Sequence, residues 1–351
     1  MPCNLVAKVV DSVKLSCRAL FLKMVCPLAF LSGVLTISVF GISSASTAAH
    51  DFTQPTAIAV SGGKMWVANN SGNSVTELAA SDGFVVRVIR SRAGDLIAPV
   101  AIAASRGNVW VVSHVTSWVT ELNASNGSLV RIISAPADQI NGPVAIAVSS
   151  GHVWVANDRG NSVTELNASN GSLVRVIRSA VDGINGPFGI AVSRGRVWVT
   201  NYAGDSVTEL NASDGSLVNV ISAATYGFSG PYAVTVSGWR VWITNANGDS
   251  VTELNASNGS LISVFNSGAD GFSFPNGVAM SAAHVWITNG IGNSMTELNV
   301  SDGSLVGVID QQFDNPDAVA VGGAFVYVAN YANNSLTEVN ASNGVLEDVI
   351  K

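Results

Sequence analysis

The chain has 351 residues, of which 48% are apolar and only 12% are charged. This composition supplies enough apolar side chains for a large core and excludes an intrinsically disordered chain. The formal net charge is −7, which disfavours nucleic acid and anionic membrane surfaces as partners because both require basic patches.

The first 48 residues are predicted to be a signal peptide or an N-terminal membrane anchor. Four basic residues precede an apolar run at 24–42, and the small-residue tail SSASTAAH follows it. Basic, apolar and small-residue segments in this order are typical of an export signal. The apolar run is also long enough for an uncleaved anchor, which would be the one expected contact with a membrane. In both cases the positive-inside rule predicts a secreted or cell-envelope protein.

From residue 51 to residue 351 the chain is a sevenfold repeat. An aromatic residue recurs in a Val-Trp-Val-like segment, mostly at a spacing of 44 residues. Each copy contains four short runs rich in β-branched residues, separated by Gly, Asn, Asp and Ser. This pattern predicts an all-β fold, a seven-bladed β-propeller with four antiparallel strands per blade. We interpret the recurring aromatic residues as packing between adjacent sheets. They are Trp66, Trp110, Trp154, Trp198, Trp242, Trp286 and Tyr327.

The third copy shows the predicted elements in chain order. The inner strand is PVAIAV (143–148), the second strand is HVWVAN (152–157), and the third is NSVTELN (161–167). The turn ASNG then leads into the fourth strand, SLVRVI (172–177). We expect the Asn side chains around this turn to accept backbone N–H groups and the Gly to have a positive φ. A proline begins the inner strand in every copy, where a missing N–H is tolerated.

The closure of the ring follows from the order of the strands. The repeat region starts with an inner strand and ends with an outer one, so no blade needs strands from both termini. We therefore expect the first and seventh blades to close the ring by packing, with residues 50–54 as a possible source of extra edge pairing.

The segment PFGIAVSRGRVWVTNYAGDSVTELNASDGSLV (187–218) resembles the repeats of secreted bacterial propellers of the YVTN and NHL type. It is also similar to the streptogramin-lyase-like (virginiamycin B lyase-like) group. The segments VWVTN (197–201) and VWITN (241–245) match the YVTN signature. The resemblance implies the propeller fold for residues 51–351, and it implies a function among binding modules, surface proteins and a few enzymes. The lyases of this group use a closely spaced histidine pair, and no two of the four histidines here are close in sequence.

The residue after each inner-strand proline is expected at the mouth of the central channel. A catalytic metal cage there would need several carboxylate, amide or imidazole ligands, and only Asn276 and Asp317 qualify. The three cysteines all lie within the first 26 residues. We therefore assign no metal, no cofactor and no catalytic residue. The predicted mouth ring consists of Thr56, Val100, Val144, Phe188, Tyr232, Asn276 and Asp317.

The loops between the second and third strands share one face with the blade-to-blade loops, and we name this the top face. These loops vary between copies, and the second copy departs most, with His114 after the strand and Trp118 in place of the usual Ser. Ordinary loop drift and a recognition patch, to which Tyr226, Phe228 and Phe274 could add, both explain this variation. The candidate binding residues are His114, Trp118, Asp158, Arg159, Tyr202, Tyr232, Asn276, Asp317 and Tyr331.

A glutamate recurs in the third strand of every blade. Its position away from the axis argues against a shared cation site. We expect either solvent exposure or pairing with Arg87, Arg131 or Arg175 on the fourth strand. The seven glutamates are Glu77, Glu121, Glu165, Glu209, Glu253, Glu297 and Glu338.

The sequence thus favours an exported, non-catalytic, monomeric propeller that binds a protein or a carbohydrate through its top face. The alternative is a lyase or hydrolase of the streptogramin-lyase-like group, with its site around Asn276 and Asp317. A mainly structural envelope protein is a third reading.

Overall fold

The computed structural model describes residues 52–91, 94–105, 107–134, 139–178 and 183–351. The predicted signal peptide or anchor at 1–48 lies outside these residues. The described residues form seven four-stranded antiparallel sheets in chain order, which confirms the all-β, seven-bladed propeller. None of the helices in this part of the chain has the length and apolar character needed to cross a membrane.

Each blade contributes four consecutive strands, numbered from the axis outward. Blades 1 and 2 consist of β1 (Pro55–Ser61), β2 (Lys64–Asn69), β3 (Ser74–Ala79), β4 (Val85–Arg90), β5 (Pro99–Ser105), β6 (Asn108–Ser113), β7 (Trp118–Asn123) and β8 (Leu129–Ser134). Blades 3 and 4 consist of β9 (Pro143–Ser149), β10 (His152–Asn157), β11 (Ser162–Asn167), β12 (Leu173–Ile177), β13 (Pro187–Ser193), β14 (Arg196–Asn201), β15 (Ser206–Asn211) and β16 (Leu217–Ile221). Blade 5 consists of β17 (Pro231–Ser237), β18 (Arg240–Asn245), β19 (Ser250–Asn255) and β20 (Leu261–Phe265). Blades 6 and 7 consist of β21 (Pro275–Met280), β22 (His284–Asn289), β23 (Ser294–Asn299), β24 (Leu305–Ile309), β25 (Pro316–Gly322), β26 (Phe325–Asn330), β27 (Ser335–Asn340) and β28 (Leu346–Ile350).

The second and third strands of each blade are buried along almost their whole length. In β10 and β11 only one residue in each strand, His152 and Asn167, is not fully buried. Sheets that are covered on both faces bury every residue of a central strand, whereas a half-exposed sheet buries every second one. The near-continuous burial therefore shows that each blade is covered by a neighbour on both sides.

The recurring tryptophans fill the space between adjacent blades, as predicted. Trp198 of blade 4 is completely buried in one cluster with Val241 and Ile243 of blade 5. Trp154 of blade 3 packs in the same way against β14 of blade 4. The aromatic side chain thus belongs to the core and not to a ligand platform.

The turn between the third and fourth strands has the predicted chemistry. Asn167 Oδ1 accepts the backbone N–H of Ser169 at 2.9 Å, and Gly171 has a φ of 73°. A Cβ added to Gly171 would lie 2.8 Å from Cδ of Arg131 in the preceding blade. Glycine therefore suits both the left-handed backbone and the close approach of the preceding blade.

The third-strand glutamates are buried, so the expectation of solvent exposure is wrong and that of local pairing is correct. Glu165 Oε2 lies 2.6 Å from Arg175 Nε of the fourth strand, and Oε1 lies 2.6 Å from His152 Nδ1 of the second strand. Burial raises the pKa of Glu165, and the Arg175 guanidinium and His152 oppose that rise. The second-strand partner was not predicted.

The fourth-strand arginines also connect neighbouring blades. Arg131 pairs through Nε with Glu121 at 2.7 Å, and its Nη2 donates to the carbonyl of Ser169 in blade 3 at 3.2 Å. Arg87 makes the same contact with the carbonyl of Ser125 at 3.1 Å. Each of these side chains therefore joins a buried carboxylate to the turn of the next blade.

A second contact between blades lies on the top face and was not predicted. The last residue of each loop between second and third strands has a positive φ. In blade 3, Asn161 Oδ1 accepts the backbone N–H of Gly186, which precedes blade 4, at 2.7 Å. We name this residue the clasp residue. The clasp residues are Asn73, Ser117, Asn161, Asp205, Asp249, Asn293 and Asn334.

The first and seventh blades use the same contacts to close the ring. Tyr327 of blade 7 packs with Met65 and Val67 of blade 1. The clasp residue Asn334 accepts the N–H of Gln54 at 2.8 Å. Among the described residues each sheet keeps its own four strands, so closure rests on packing, as predicted, together with this hydrogen bond.

Candidate functional site

A cavity of about 560 Å³ opens at the top end of the central channel. All seven residues of the predicted mouth ring line it, together with His114 and Asp158 from the loops above. The inner strands pack side by side in chain order around the axis, with β25 against β1. The lining therefore consists of sectors that can be followed from blade to blade.

Blades 4 and 5 supply an aromatic wall. The rings of Phe188 and Tyr232 have centroids 4.1 Å apart. Tyr202 packs edge-on to Tyr232 at 6.2 Å, and Phe274, from the loop before blade 6, does so at 6.0 Å. These rings form one continuous apolar surface, which we name the aromatic wall.

The aromatic wall is held in place by a threonine at the end of a second strand. Thr200 Oγ1 accepts the N–H of Gly189 at 2.7 Å and donates to the carbonyl of Tyr232 at 2.7 Å. A side chain at Gly189 would overlap the Tyr232 carbonyl, so glycine permits the approach of β13 to β17. The sequence already distinguishes these blades, because a threonine occupies the position of Thr200 only in blades 4, 5 and 6.

Blades 6 and 7 supply a polar pair next to the aromatic wall. Asn276 is almost completely buried, and its Oδ1 accepts a hydrogen bond from Thr288 Oγ1 at 2.9 Å. This contact directs the amide nitrogen toward Asp317, whose Oδ1 accepts from Asn276 Nδ2 at 3.3 Å. Burial raises the pKa of Asp317 to about 7. Burial, followed by the nearby Asp317 carboxylate, also raises the pKa of Tyr232.

The sector of blade 2 departs from the other copies. In blade 3, Asn157 Nδ2 donates to Ser162 Oγ at 3.2 Å and to Thr164 Oγ1 at 2.9 Å. Blade 2 has Ser113 and Trp118 at the first two of these positions. Ser113 Oγ and His114 Nδ1 are buried with no hydrogen-bond partner among the described residues. Of these two residues, His114 lines the cavity.

The charge of the lining has one sign. Asp317 of blade 7 and Asp158 of blade 3 lie three blades apart around the ring, and the described lining contains no lysine or arginine. In the described part of the chain, no group of three His, Cys, Asp or Glu side chains is placed to hold a metal ion.

The structure brings together five of the nine candidate binding residues. His114, Asp158, Tyr232, Asn276 and Asp317 line the cavity, and Tyr202 joins the aromatic wall. Phe188, which was placed in the mouth ring but not among the candidate binding residues, belongs to the same wall.

The other three candidate residues do not line the cavity. Trp118 begins β7 and lies near Gly94, and Arg159 packs closely over Gly142. Tyr331 donates its backbone N–H to the carbonyl of Asn315 at 3.1 Å, on the top face but outside the lining. Tyr226 and Phe228 stack on each other and pack against the core between blades 4 and 5, so their role is structural.

No protein-family model and no curated protein matches the chain. Solved structures do match it. A chain of Kuenenia stuttgartiensis hydrazine synthase is 18% identical with a TM-score of 0.70, covering 86% of this chain and 100% of that one. Virginiamycin B lyase from Staphylococcus aureus is 17% identical with a TM-score of 0.69, covering 80% and 93%. The computationally designed protein Ika8 is 13% identical with a TM-score of 0.61, covering 86% and 98%.

These likenesses concern the fold, because all three identities are low. The neighbours include enzymes and a designed protein, so the fold does not select among their activities. The chain has the seven-bladed propeller fold and is similar in structure to the streptogramin B lyases, as the sequence resemblance implied.

Proposed function

We propose that this protein is an exported, non-catalytic propeller that binds a carbohydrate at the mouth of its central channel. The observation that carries the proposal is the aromatic wall of Phe188 and Tyr232 beside the hydrogen-bonded pair of Asn276 and Asp317. Sugar rings have an apolar face edged by hydroxyl groups. Such a ring matches an aromatic surface that is flanked by carboxylate and amide oxygens.

The shape of the site supports a carbohydrate over a protein partner. A stable protein interface buries about 800 Å² on each partner over a fairly flat patch. The cavity here is concave, and its volume of about 560 Å³ lies in the range of small-ligand pockets. The end of a glycan chain can enter such a cavity, whereas a folded partner would contact only its rim.

The alternative of a lyase or hydrolase is supported by the pKa of Asp317, which burial raises to about 7. Such catalysis normally needs an acid and a base that converge on one bond. The hydrogen-bond partner of Asp317 is an amide, and the other titratable side chains of the described lining are His114 and Asp158 on blades 2 and 3 and Tyr232 on blade 5. This distribution supports binding without turnover.

A glycan array with the purified propeller tests the proposal. We expect binding to a defined set of glycans and a loss of at least about tenfold in affinity in Tyr232→Ala, because the variant removes the centre of the aromatic wall. The matched control is Trp239→Ala, which removes an exposed aromatic side chain stacked on Arg194 in the turns of the opposite face. It should bind as the wild type does.

Two results would contradict the proposal. The first is an array without any bound glycan, or one on which Tyr232→Ala binds normally. The second is a change in the mass of a bound glycan after incubation, which would show bond cleavage and favour the enzymatic alternative.

A further inference from the structure

We infer that the mouth cavity selects a carbohydrate that carries a free ammonium group, such as a glucosamine residue, over its neutral and anionic counterparts. This inference rests on the proposed carbohydrate binding and specifies its ligand class. It draws on three features of the described lining, namely its charge, its incompletely paired acceptors and the position of the aromatic wall.

The acidic side chains of the lining favour a cation. Asp158 and Asp317 are the carboxyl-bearing side chains among the described lining residues, and they approach the cavity from opposite sides of the ring. Burial holds the pKa of Asp317 at about 7, and an ammonium group bound beside it would favour the ionised carboxylate. The whole chain is also acidic, with a net charge of −7. A cavity with low-dielectric walls and carboxylates of one sign concentrates cations and repels anions. A sulfated or carboxylated sugar is therefore disfavoured.

The Asp317 carboxylate has unused acceptor capacity. Its one hydrogen bond within the described residues is the 3.3 Å contact from Asn276 Nδ2 to Oδ1, which leaves Oδ2 without a protein donor. A partly buried carboxylate normally accepts several hydrogen bonds. An ammonium group offers three donors and a positive charge, so it satisfies this acceptor better than a hydroxyl group does.

The aromatic wall stands next to the carboxylate. Tyr232 of blade 5 and Asp317 of blade 7 line the same cavity on either side of Asn276 of blade 6, and Phe188 lies against Tyr232. A sugar ring on this wall would bring a substituent of the ring toward Asp317. Aromatic faces also attract an adjacent cation. The wall and the carboxylate therefore recognise two parts of the same amino sugar.

Isothermal titration at pH 7 with two matched probes, the trimer of glucosamine and the trimer of N-acetylglucosamine, tests this inference. We expect the glucosamine trimer to bind at least about tenfold more tightly, since a hydrogen bond to a charged group contributes more than one to a neutral group. Asp317→Asn should lose at least about tenfold of the affinity for the glucosamine trimer while it keeps that for the acetylated trimer.

Asp302→Asn is the matched control, because it removes the same charge in an exposed turn of blade 6. Asp302 Oδ1 accepts the N–H of Ser304 at 2.9 Å, and Asn170 makes the same contact with Ser172 in blade 3, so the fold tolerates the change. This variant should keep the wild-type preference.

Equal or tighter binding of the acetylated trimer would overturn the inference and leave the proposed carbohydrate binding intact. A preference for glucosamine that persists in Asp317→Asn would overturn the assignment of the site. Binding of neither trimer by a protein that binds other glycans on the array would overturn the inference alone, whereas an array without any bound glycan would overturn the proposed function as well.

Discussion

Two regions built from the same seven repeats differ in how far the copies agree. The first is the ion-pair layer, by which we mean the third-strand glutamates and the basic side chains that pair with them. The second is the mouth of the channel. In the ion-pair layer every blade has a buried glutamate at the same register, and those of blades 1 to 6 each pair with a Lys, Arg or His side chain. At the mouth, the residue that follows the same proline is Thr, Val, Phe, Tyr, Asn or Asp, depending on the blade.

The difference arises from what each position contacts. A third-strand glutamate is buried at the same register in every blade, between the second and fourth strands of its own sheet. A mouth residue faces a cavity that all seven blades share, so six kinds of side chain at seven positions can together form one asymmetric surface. We therefore assign the repeated positions to the scaffold of this propeller, and we propose that divergence at the axis marks its binding site.

The largest effect is expected from the ion-pair layer of blade 2. Arg131→Ala should lower the free energy of unfolding by about 3 kcal/mol at pH 8, because it leaves the buried Glu121 carboxylate without its cation. Burial already raises the pKa of Glu121, so the variant should regain stability as the pH falls and this carboxyl takes up a proton. Urea unfolding at several pH values measures both.

Arg87→Ala in blade 1 is the matched control for this change. Both arginines bond to a turn of the next blade, but Glu77 keeps Lys64 at 2.7 Å after the arginine is removed. The expected loss is about 1 kcal/mol. Equal losses in the two variants would show that the buried charge does not determine the cost, and the description of this layer as a scaffold of ion pairs would be wrong.

The clasp residues should have a smaller effect, and the same one in each blade. Asn161→Gly and Asn334→Gly each remove one hydrogen bond between blades, and glycine tolerates their φ values of 43° and 58°. We expect a loss of about 1 kcal/mol in either variant, measured by urea unfolding. A much larger loss in Asn334→Gly would mean that the junction of blades 1 and 7 is weaker than the other junctions.

Much of the fold could be predicted from the sequence, because it depends on local and repeated signals. The proline before each inner strand and the regular spacing fix the blades, and counting one residue past each proline places Tyr232 and Asp317 at the mouth. The Asx turns follow from their own residues. Each of these features needs only neighbours that are close in sequence.

Other features depend on register and side-chain direction, which the sequence does not specify locally. The pairing of His152 with Glu165 arises from the antiparallel register that places His152 opposite Asn167. In the loop that follows, Asp158 lines the cavity whereas its neighbour Arg159 packs on Gly142. Both residues vary between copies, so variation alone could not tell them apart.

The most direct test of the division between scaffold and site is the stability of Asp317→Asn relative to wild type as a function of pH. Burial raises the pKa of Asp317 to about 7, so the folded protein holds this proton more tightly than the unfolded chain, whose aspartate has a pKa of about 3.9. The wild type therefore loses stability as the pH rises from about 4 to about 7, and the variant does not.

Asparagine can still accept the hydrogen bond from Asn276. We predict that Asp317→Asn is the more stable protein at pH 8 and that its advantage disappears near pH 4. A variant that is less stable than the wild type at pH 8 would show that Asp317 serves the scaffold, and it would contradict the account of the mouth as a binding site.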